Sequence, residues 1–355
     1  MAQTFLPSLG AEISPEGLRI LANTEQFYEQ WVALRRTRLA LPRRIFWKQV
    51  AGRDYLYVQM TGEREPRSNG PRTPETERRH LLQNASIAET EDKLNGVEAS
   101  LAECLAQHKA LRLPRLLALP GEILREFDCR GWLGVCLLVV GTNAFAAYEI
   151  EAGQRFAAGL DETEDFDLTW LGRPDVMLKG GARQPLLAAL RSVDASFVLN
   201  PRKPYQALNR KGYEVELLAA PSVMASLHSL GDFNPIPLLE QEWLLQGRPV
   251  RHVISDFAGA PVPLVVPDPR WMGLHKLWLS AKPERDPLKK SKDAKQGDLL
   301  LRAVADRMAN RYPMDTDFVM DLPAELLPVF NQWAKARDFV PMKPAPSWSA
   351  LKTQG

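Results

Sequence analysis

The chain has 355 residues, of which 45% are hydrophobic and 25% charged, and its formal net charge is +2. These values are typical of a folded globular protein of two or three domains, and they exclude wholesale disorder. A charge so close to neutrality indicates neither a nucleic acid nor a membrane as a partner of the chain as a whole.

The cysteines and the apolar runs indicate the compartment. Cys104, Cys129 and Cys136 show neither CxxC spacing nor a paired framework, so we interpret them as reduced thiols. The N-terminus lacks a basic region followed by an apolar stretch, and the longest apolar run, residues 133–140, is too short to span a bilayer. We therefore predict a cytoplasmic protein without membrane contact.

The first third of the chain is predicted to be a mainly helical module, residues 1–130, that carries a β-hairpin. Apolar spacing indicates a helix over residues 14–40. Two aromatic, β-branched segments joined by a turn at Gly52 predict the hairpin, and the Gly-, Pro- and Arg-rich stretch after it predicts an exposed loop over 62–72. Thr73 followed by Pro74 then opens a helix to about residue 110.

The middle of the chain, residues 131–245, is predicted to fold as a small α/β or α+β sheet, because strands and helices alternate. Thr142 or Asn143 is expected to cap the first helix of this region. The predicted elements are a strand at 133–140, a helix at 144–152, a strand at 165–170, a helix at 186–193, and strands at 196–200 and 213–218.

The last third, residues 246–340, is predicted to hold a strand pair, 250–254 and 262–266, followed by helices. Asp268 and Asp286, each followed by proline, mark two helix starts; the first helix continues through Trp278 and the second to about Arg311. A proline-rich, flexible tail is expected over 341–355.

An Asp-x-Asp sequence on a predicted strand carries the chemistry. The two-residue period of a strand places the carboxylates of Asp165 and Asp167 on one face. Two like charges held a few ångströms apart repel unless a cation lies between them, and hard oxygen ligands suit Mg²⁺. A third carboxylate, from Glu216 on a neighbouring strand, would complete a two-metal site for phosphoryl or nucleotidyl transfer.

A glycine at a strand-to-helix junction supplies the other requirement of such a site. Gly141 allows the backbone to approach phosphate oxygens, and the helix N-terminus that follows presents free N–H groups. The Thr142 hydroxyl can donate one further hydrogen bond.

Together these features resemble the DNA polymerase beta nucleotidyltransferase superfamily, which combines an apolar strand, Gly-Ser or Gly-Thr, Asp-x-Asp and a later acid. The segments VVGTNAFAAYE, TEDFDL and HKLWLS…KKSKD, with an aromatic hairpin before them, are similar to those of a bacterial family with this fold. The resemblance covers roughly residues 40–310. It implies an α+β fold with a polymerase beta-like mixed sheet core between helical N-terminal and C-terminal regions.

The resemblance also implies roles for individual residues. Gly141 and Thr142 would cradle the triphosphate, Asp165 and Asp167 would bind the metals, and Glu216 would be the third ligand or the base for the attacking hydroxyl. Two features depart from the superfamily pattern: the third acid is Glu rather than the commoner Asp, and the interval from Gly141 to Asp165 suggests an insert near 153–161.

Lysines late in the chain are candidates for phosphate contacts. By resemblance Lys276 is the first choice and Lys292 the second, since lysine acts as a point charge on phosphate. The alternative is that these lysines belong to a solvated helix face. We interpret His275 as an interior histidine rather than a general base.

The N-terminal module is rich in arginine beside aromatic residues. This combination suits a surface for the nucleic-acid backbone and stacked bases. The alternative is that the arginines solvate the surface or pair with acids such as Glu63 and Glu75. The aromatic residues are Trp47, Tyr55 and Tyr57, and the arginines are Arg35, Arg36, Arg38, Arg43, Arg44, Arg64, Arg67, Arg72, Arg78 and Arg79.

These observations predict a Mg²⁺-dependent nucleotidyltransferase that joins an NMP from an NTP to a hydroxyl on RNA, protein or a small molecule. Two alternatives remain: a toxin-like transferase that modifies tRNA ends, and a catalytically silent nucleotide-binding or interaction module.

Overall fold

The computed structural model describes residues 9–156, 165–172, 178–179, 182–183, 186–224 and 233–343. Over these ranges the fold is α+β, as predicted. The helices are α1 Pro15–Ala40, α2 Pro74–Ala110, α3 Ala118–Cys129, α4 Phe145–Ala152, α5 Leu186–Val193, α6 Pro221–Met224, α7 Gln241–Leu244, α8 Pro269–Ala281, α9 Pro287–Ala303, α10 Thr316–Met320 and α11 Leu327–Ala336, with a 3-10 helix Thr142–Ala144 and a π-helix Val304–Met308. The strands are β1 Arg44–Val50, β2 Arg53–Gln59, β3 Arg67–Pro71, β4 Arg115–Leu116, β5 Leu137–Val139, β6 Asp165–Trp170, β7 Leu178–Lys179, β8 Ala182–Arg183, β9 Val198–Asn200, β10 Lys203–Leu208, β11 Glu214–Ala219, β12 Ile236–Pro237, β13 Val250–Asp256 and β14 Pro261–Val266.

The N-terminal region is a helical arm made of α1 and α2, which pack along each other. Both helices occur where they were predicted. Ser14 caps α1 by accepting from the Gly17 N–H, and Thr73 forms a capping box with Thr76 at the start of α2. Leu101 and Leu105 of α2 are buried against Tyr28 and Val32 of α1, so an apolar stripe holds the arm together.

A three-stranded antiparallel sheet, ordered β1-β2-β3, connects the two helices of the arm. The predicted hairpin is confirmed, but the prediction of a loop throughout 62–72 is wrong, because Arg67–Pro71 forms β3 on the free edge of β2. Pairing between main chains does not need a strand-forming side chain, and a residue composition typical of loops therefore concealed this strand.

The central sheet holds the predicted acidic strand. Its order is β5-β6-β11-β10-β9, with β12 beside β11, and the pair β6–β11 is parallel whereas β5–β6, β11–β10 and β10–β9 are antiparallel. The strand predicted at 133–140 is confirmed only over Leu137–Val139, because a turn closed by the bond from the Gly134 N–H to the Leu137 carbonyl precedes it. Strand β10 was not predicted.

The C-terminal helices pack across the central region. Asp268 and Asp286 cap α8 and α9 as predicted, although α9 ends at Ala303 and continues as the π-helix to Met308. The two helices cross closely at two glycines: a Cβ on Gly297 would lie 2.7 Å from the Gly273 carbonyl oxygen. This contact sets the position of the lysines that α8 and α9 carry.

One buried hydrophobic cluster runs from Ile13 to Ala334 and includes residues of α1, the central sheet and the C-terminal helices. The division into domains at 130, 245 and 340 stays a prediction. Of the predicted flexible tail, residues 344–355 lie outside the described residues.

Candidate active site

The parallel pairing of β6 and β11 places four carboxylates on one face of the sheet. Asp165 is paired in register with Glu214, and Asp167 with Glu216. Residues in register on parallel strands point to the same side, and so do alternate residues along each strand. Sequence reasoning found Asp165, Asp167 and Glu216 but missed Glu214, although Glu214-Val215-Glu216 repeats the acid–apolar–acid pattern of Asp165–Asp167.

Gly141 lies directly against Asp167. The Val140 N–H donates to the Asp167 carbonyl oxygen at 3.0 Å, which brings the end of β5 beside the acidic strand. Gly141 then adopts φ 70° and ψ −152°, a conformation that residues other than glycine rarely adopt. A Cβ at this position would overlap Oδ2 of Asp167 and lie 3.2 Å from its Cγ. The glycine is therefore required both by its backbone and by its neighbour.

The junction after Gly141 differs in detail from the prediction. Neither Thr142 nor Asn143 caps α4: both lie in the 3-10 helix, and α4 begins after Ala144 without a side-chain cap. Their side chains are used elsewhere, since Asn143 Nδ2 donates to the Asp165 carbonyl at 3.1 Å and Thr142 Oγ1 accepts from Gln296 Nε2 at 3.4 Å. These bonds tie the junction to β6 and to α9.

Negative charge is concentrated at Asp167. Its pKa is raised to about 6, first by burial and then by the carboxylate of Glu216, against the lowering effect of Lys276. The pKa of Glu216 is also raised, first by burial and then by Asp165. Burial raises the pKa of the Tyr213 hydroxyl, and the charges of Asp167 and Asp165 raise it further. The site thus favours either a proton or a cation beside these carboxylates.

Gln206 holds the two glutamates of β11. Its side chain is 1% exposed, and its Nε2 donates to Glu214 Oε2 at 2.6 Å and to Glu216 Oε1 at 3.0 Å. Asn200 Nδ2 in turn donates to Gln206 Oε1 at 2.5 Å, which fixes the orientation of the amide. Sequence reasoning missed Gln206 because it missed β10, on which this residue lies opposite Glu216.

Helix α9 lies across the carboxylates and the glycine junction. Near its first turn, Lys289 Nζ is 3.4 Å from Asp165 Oδ2, and seven residues later Gln296 contacts Thr142. Lys292 falls between them at helical spacing, so it shares this face of α9. The predicted candidate Lys292 therefore belongs to the helix face that contacts the site, and Lys289 of the same face reaches the acidic residue Asp165.

Lys276, the other predicted phosphate ligand, is buried in an ion pair. Its Nζ lies 2.8 Å from Asp293 Oδ1, and Arg285 binds the other oxygen of the same carboxylate at 2.7 Å. The charge of Lys276 nevertheless lowers the pKa of Asp167, so it acts on the site through space. Next to it, His275 is buried against Trp243 with its pKa lowered to about 3 by burial and by Lys276, which agrees with an interior histidine.

The donor set fits a divalent cation at Asp165 and Asp167. Both provide hard carboxylate oxygens on one face, and the pKa of Asp167 is raised by burial and by the charge of Glu216, a charge that a cation would neutralise. Among the residues that the structure describes, however, no group of three or more His, Cys, Asp or Glu side chains is arranged to hold a metal ion. Both glutamates are bonded by the Gln206 amide, from β10 on the side of β11 that faces away from β6.

Sequence comparison assigns this arrangement to a family. A family model described as nucleotidyltransferase matches residues 119–317, more than half of the chain. The chain belongs to this nucleotidyltransferase family. Comparisons with curated proteins and with solved structures give no significant match.

The nucleotidyltransferase match contains the site residues described above, from Gly141 to Gln296, and leaves the acceptor unspecified. An NTP is the substrate that the family implies. Thr163 and Glu164, the first residues of the predicted TEDFDL segment, lie outside the described residues, as does much of the insert suggested near 153–161. Across the ranges that the structure describes, no helix combines the length and the apolar character needed to cross a bilayer.

Proposed function

We propose that this nucleotidyltransferase is a Mg²⁺-dependent enzyme of the DNA polymerase beta type, which transfers an NMP from an NTP to a hydroxyl acceptor. The supporting observation is the parallel register that sets Asp165 and Asp167 beside Glu214 and Glu216, with Gly141 against Asp167. Asp165 and Asp167 would hold the metal, and Glu216 would be the third ligand or the general base.

The residues around the carboxylates suit a triphosphate. Gly141 leaves room for the backbone to approach phosphate oxygens, and the Thr142 hydroxyl lies at the same junction. Lys289 and Lys292 share the face of α9 that contacts this junction, so we assign them to the phosphates. Lys276 is ion-paired with Asp293. We propose that its positive charge stabilises the site in this state, and that it contacts phosphate only when Asp293 releases it during turnover.

The reaction exchanges one P–O bond for another. The acceptor hydroxyl oxygen bonds to the α-phosphorus, the bond from that phosphorus to the bridging oxygen breaks, and pyrophosphate leaves. When bound, two Mg²⁺ ions would neutralise the phosphate charge and align the two oxygens. Glu216 is suited to take the hydroxyl proton, because burial and Asp165 raise its pKa toward the working pH.

We place this activity in the cytoplasm. The cysteines Cys104, Cys129 and Cys136 are free thiols, two of them buried, which suits a reducing compartment. An NTP and Mg²⁺ are both consistent with that location.

The test is transfer of label from each of the four α-³²P NTPs, with Mg²⁺, to RNA, protein and small molecules of a cell extract. The proposal predicts one labelled acceptor class with the wild-type protein and none with Asp165→Asn or with Asp167→Asn. Label confined to tRNA ends would identify the toxin-like alternative within the same reaction. Bound NTP without any labelled product would contradict the proposal and favour a silent module.

A further inference from the structure

The N-terminal sheet presents one face that combines aromatic rings with positive charge. In β1 and β2, residues paired in register alternate between the two faces, and one face collects every second residue of both strands. We call this set the basic–aromatic face. Its basic and aromatic members are Arg44, Phe46, Lys48, Arg53, Tyr55 and Tyr57, and Val50 and the buried Gln59 lie on the same face.

The opposite face of this sheet is already occupied. Leu56 is fully buried there, Ile45 is buried beside it, and the Trp47 ring packs on His80 of α2. The basic–aromatic face, by contrast, has exposed cations and half-buried rings, and only its edge at Gln59 is buried, where the amide donates to the Glu63 and Arg64 carbonyls. It is therefore a sheet surface with one side available for a partner.

The charges of this face are not neutralised by acids within the part of the chain that the structure describes. Arg44 and Lys48 lie instead over rings, 5.2 Å from the centroids of Phe46 and Tyr57 respectively. Several of the arginines named from the sequence that lie outside the face do pair with acids, which bears out for them the alternative of pairing; Arg36 is one, with its partner Asp128. Further pairs are Arg38–Glu91, Arg67–Glu63, Arg72–Asp54, Arg72–Glu77 and Arg79–Glu75.

We propose that the basic–aromatic face binds single-stranded RNA and that this RNA is the acceptor, an inference that rests on the proposed nucleotidyl transfer. Phe46 and Tyr57 already stack, with centroids 6.1 Å apart and planes 22° apart, and unpaired bases add to such a platform. Lys48, Arg44 and Arg53 supply charge for phosphates. The hydroxyls of Tyr55 and Tyr57 can bond a ribose 2′-OH, which favours RNA over DNA.

The position of the face also favours a large acceptor. The sheet packs near His80, whereas the other end of α2, Ala110, leads into β4 beside the β13–β14 hairpin. Along α2, His80 and Ala110 are separated by about 45 Å, at 1.5 Å per helical residue. Strand β14 contacts both β5 and the 3-10 helix of the site. A small molecule does not span that distance, but an extended polynucleotide does.

The experiment measures fluorescence anisotropy of a labelled oligouridine of about 15 nucleotides, the upper range for one binding module, added to the full chain. We expect saturable binding that weakens at least about fivefold for each base that loses its stacking partner in Tyr55→Ala/Tyr57→Ala. Removing Lys48 and Arg53 together should lower the slope of log affinity against log salt by about 0.7 per lost phosphate contact.

Two matched variants control for general effects. Phe257 is 53% exposed and has the Arg115 guanidinium 4.5 Å from its ring, so Phe257→Ala removes a similar aromatic–cation pair elsewhere. Lys93 is an exposed lysine of α2 that pairs with Glu89, and Lys93→Ala removes one positive charge away from the face. Both variants should bind the oligouridine as the wild type does.

Four results would overturn the inference: no binding of the oligouridine, binding unaffected by the face variants, equal affinity for the matching DNA, or capture of a protein by this face in place of RNA. The test is separate from that of the proposed reaction. Asp165→Asn should bind the oligouridine normally, and the face variants should bind NTP with Mg²⁺ normally. RNA binding by a protein that transfers nothing would therefore refute the reaction and the role of RNA as acceptor, and would leave the binding of RNA by the face standing.

Discussion

Gly141 and Asp167 are in direct contact, so that any side chain on the glycine would overlap Oδ2 of the aspartate. We expect Gly141→Ala to shift that carboxylate or the junction and to lower the transfer rate about 100-fold, the cost of a misplacement near 1 Å. The circular dichroism spectrum should stay unchanged. The control is Gly153→Ala, since Gly153 also has positive φ but open space around it. Equal activity of the two variants would contradict the importance of this contact.

The raised pKa of Asp167 predicts how stability depends on pH. A folded-state pKa of about 6 lies above the unfolded value, so the protonated carboxyl favours the folded state at low pH and this contribution disappears as the pH rises through 6. In chelator, wild type should lose up to about 3 kcal/mol more than Asp167→Asn between pH 4 and 7. Urea unfolding measures the difference. Adding Mg²⁺ should restore the lost stability of the wild type above pH 6. If the free energy of unfolding of the two proteins depends on pH in the same way, the prediction is contradicted.

Gln206 is expected to position Glu216 rather than to contact the substrate. Its amide binds Oε1 of Glu216 and leaves Oε2 for a metal or a proton. Gln206→Leu keeps the size of the side chain but removes both bonds to the glutamates, so we expect activity to need about 10- to 100-fold more Mg²⁺. A Mg²⁺ titration of the transfer rate measures this. When Gln206→Leu is added to a Glu216→Gln variant, the Mg²⁺ requirement should not rise further. Additive effects of the two substitutions would show that Gln206 does not act through Glu216.

Substitution of the two lysines near the carboxylates should affect different properties, stability for Lys276 and binding of NTP for Lys289. Lys276→Met breaks a buried ion pair and leaves Asp293 with Arg285 as its partner. Because Arg285 compensates the charge of Asp293 only in part, the free energy of unfolding should fall by about 2 to 3 kcal/mol. Lys289→Met removes an exposed side chain and should change stability by less than about 0.5 kcal/mol while raising the KM for NTP. Urea unfolding and steady-state kinetics on both variants check this; a stable Lys276→Met protein would contradict the buried pair.

Much of this site could be predicted from the sequence, because its signals are local. A strand places Asp165 and Asp167 on one face whatever surrounds it, and aspartate before proline starts a helix by its own hydrogen bonds, as at Asp268 and Asp286. The long capped helix after Thr73 followed for the same reason.

The parts that were not predicted depend on distant partners. Strand β10 has no apolar pattern that distinguishes it, and only its pairing with β11 places Gln206 on the two glutamates. Thr142 and Asn143 have the residue types of a helix cap, yet Gln296 and the Asp165 carbonyl, more than twenty positions away, engage their side chains instead. Lys289 contacts Asp165 from a helix 124 positions later in the chain, which no local pattern reveals.

The most direct measurement is calorimetric titration with Mg²⁺ and a non-hydrolysable NTP analogue. The account predicts binding by the wild type that depends on Mg²⁺ and falls at least about 100-fold in Asp165→Asn/Asp167→Asn, whose neutral amides are poor ligands for a hard cation. The chain offers a matched Asp-x-Asp, Asp315 and Asp317, of which Asp315 caps α10. Asp315→Asn/Asp317→Asn should bind as the wild type does. Undiminished Mg²⁺-dependent binding by Asp165→Asn/Asp167→Asn would contradict the assignment of these two aspartates.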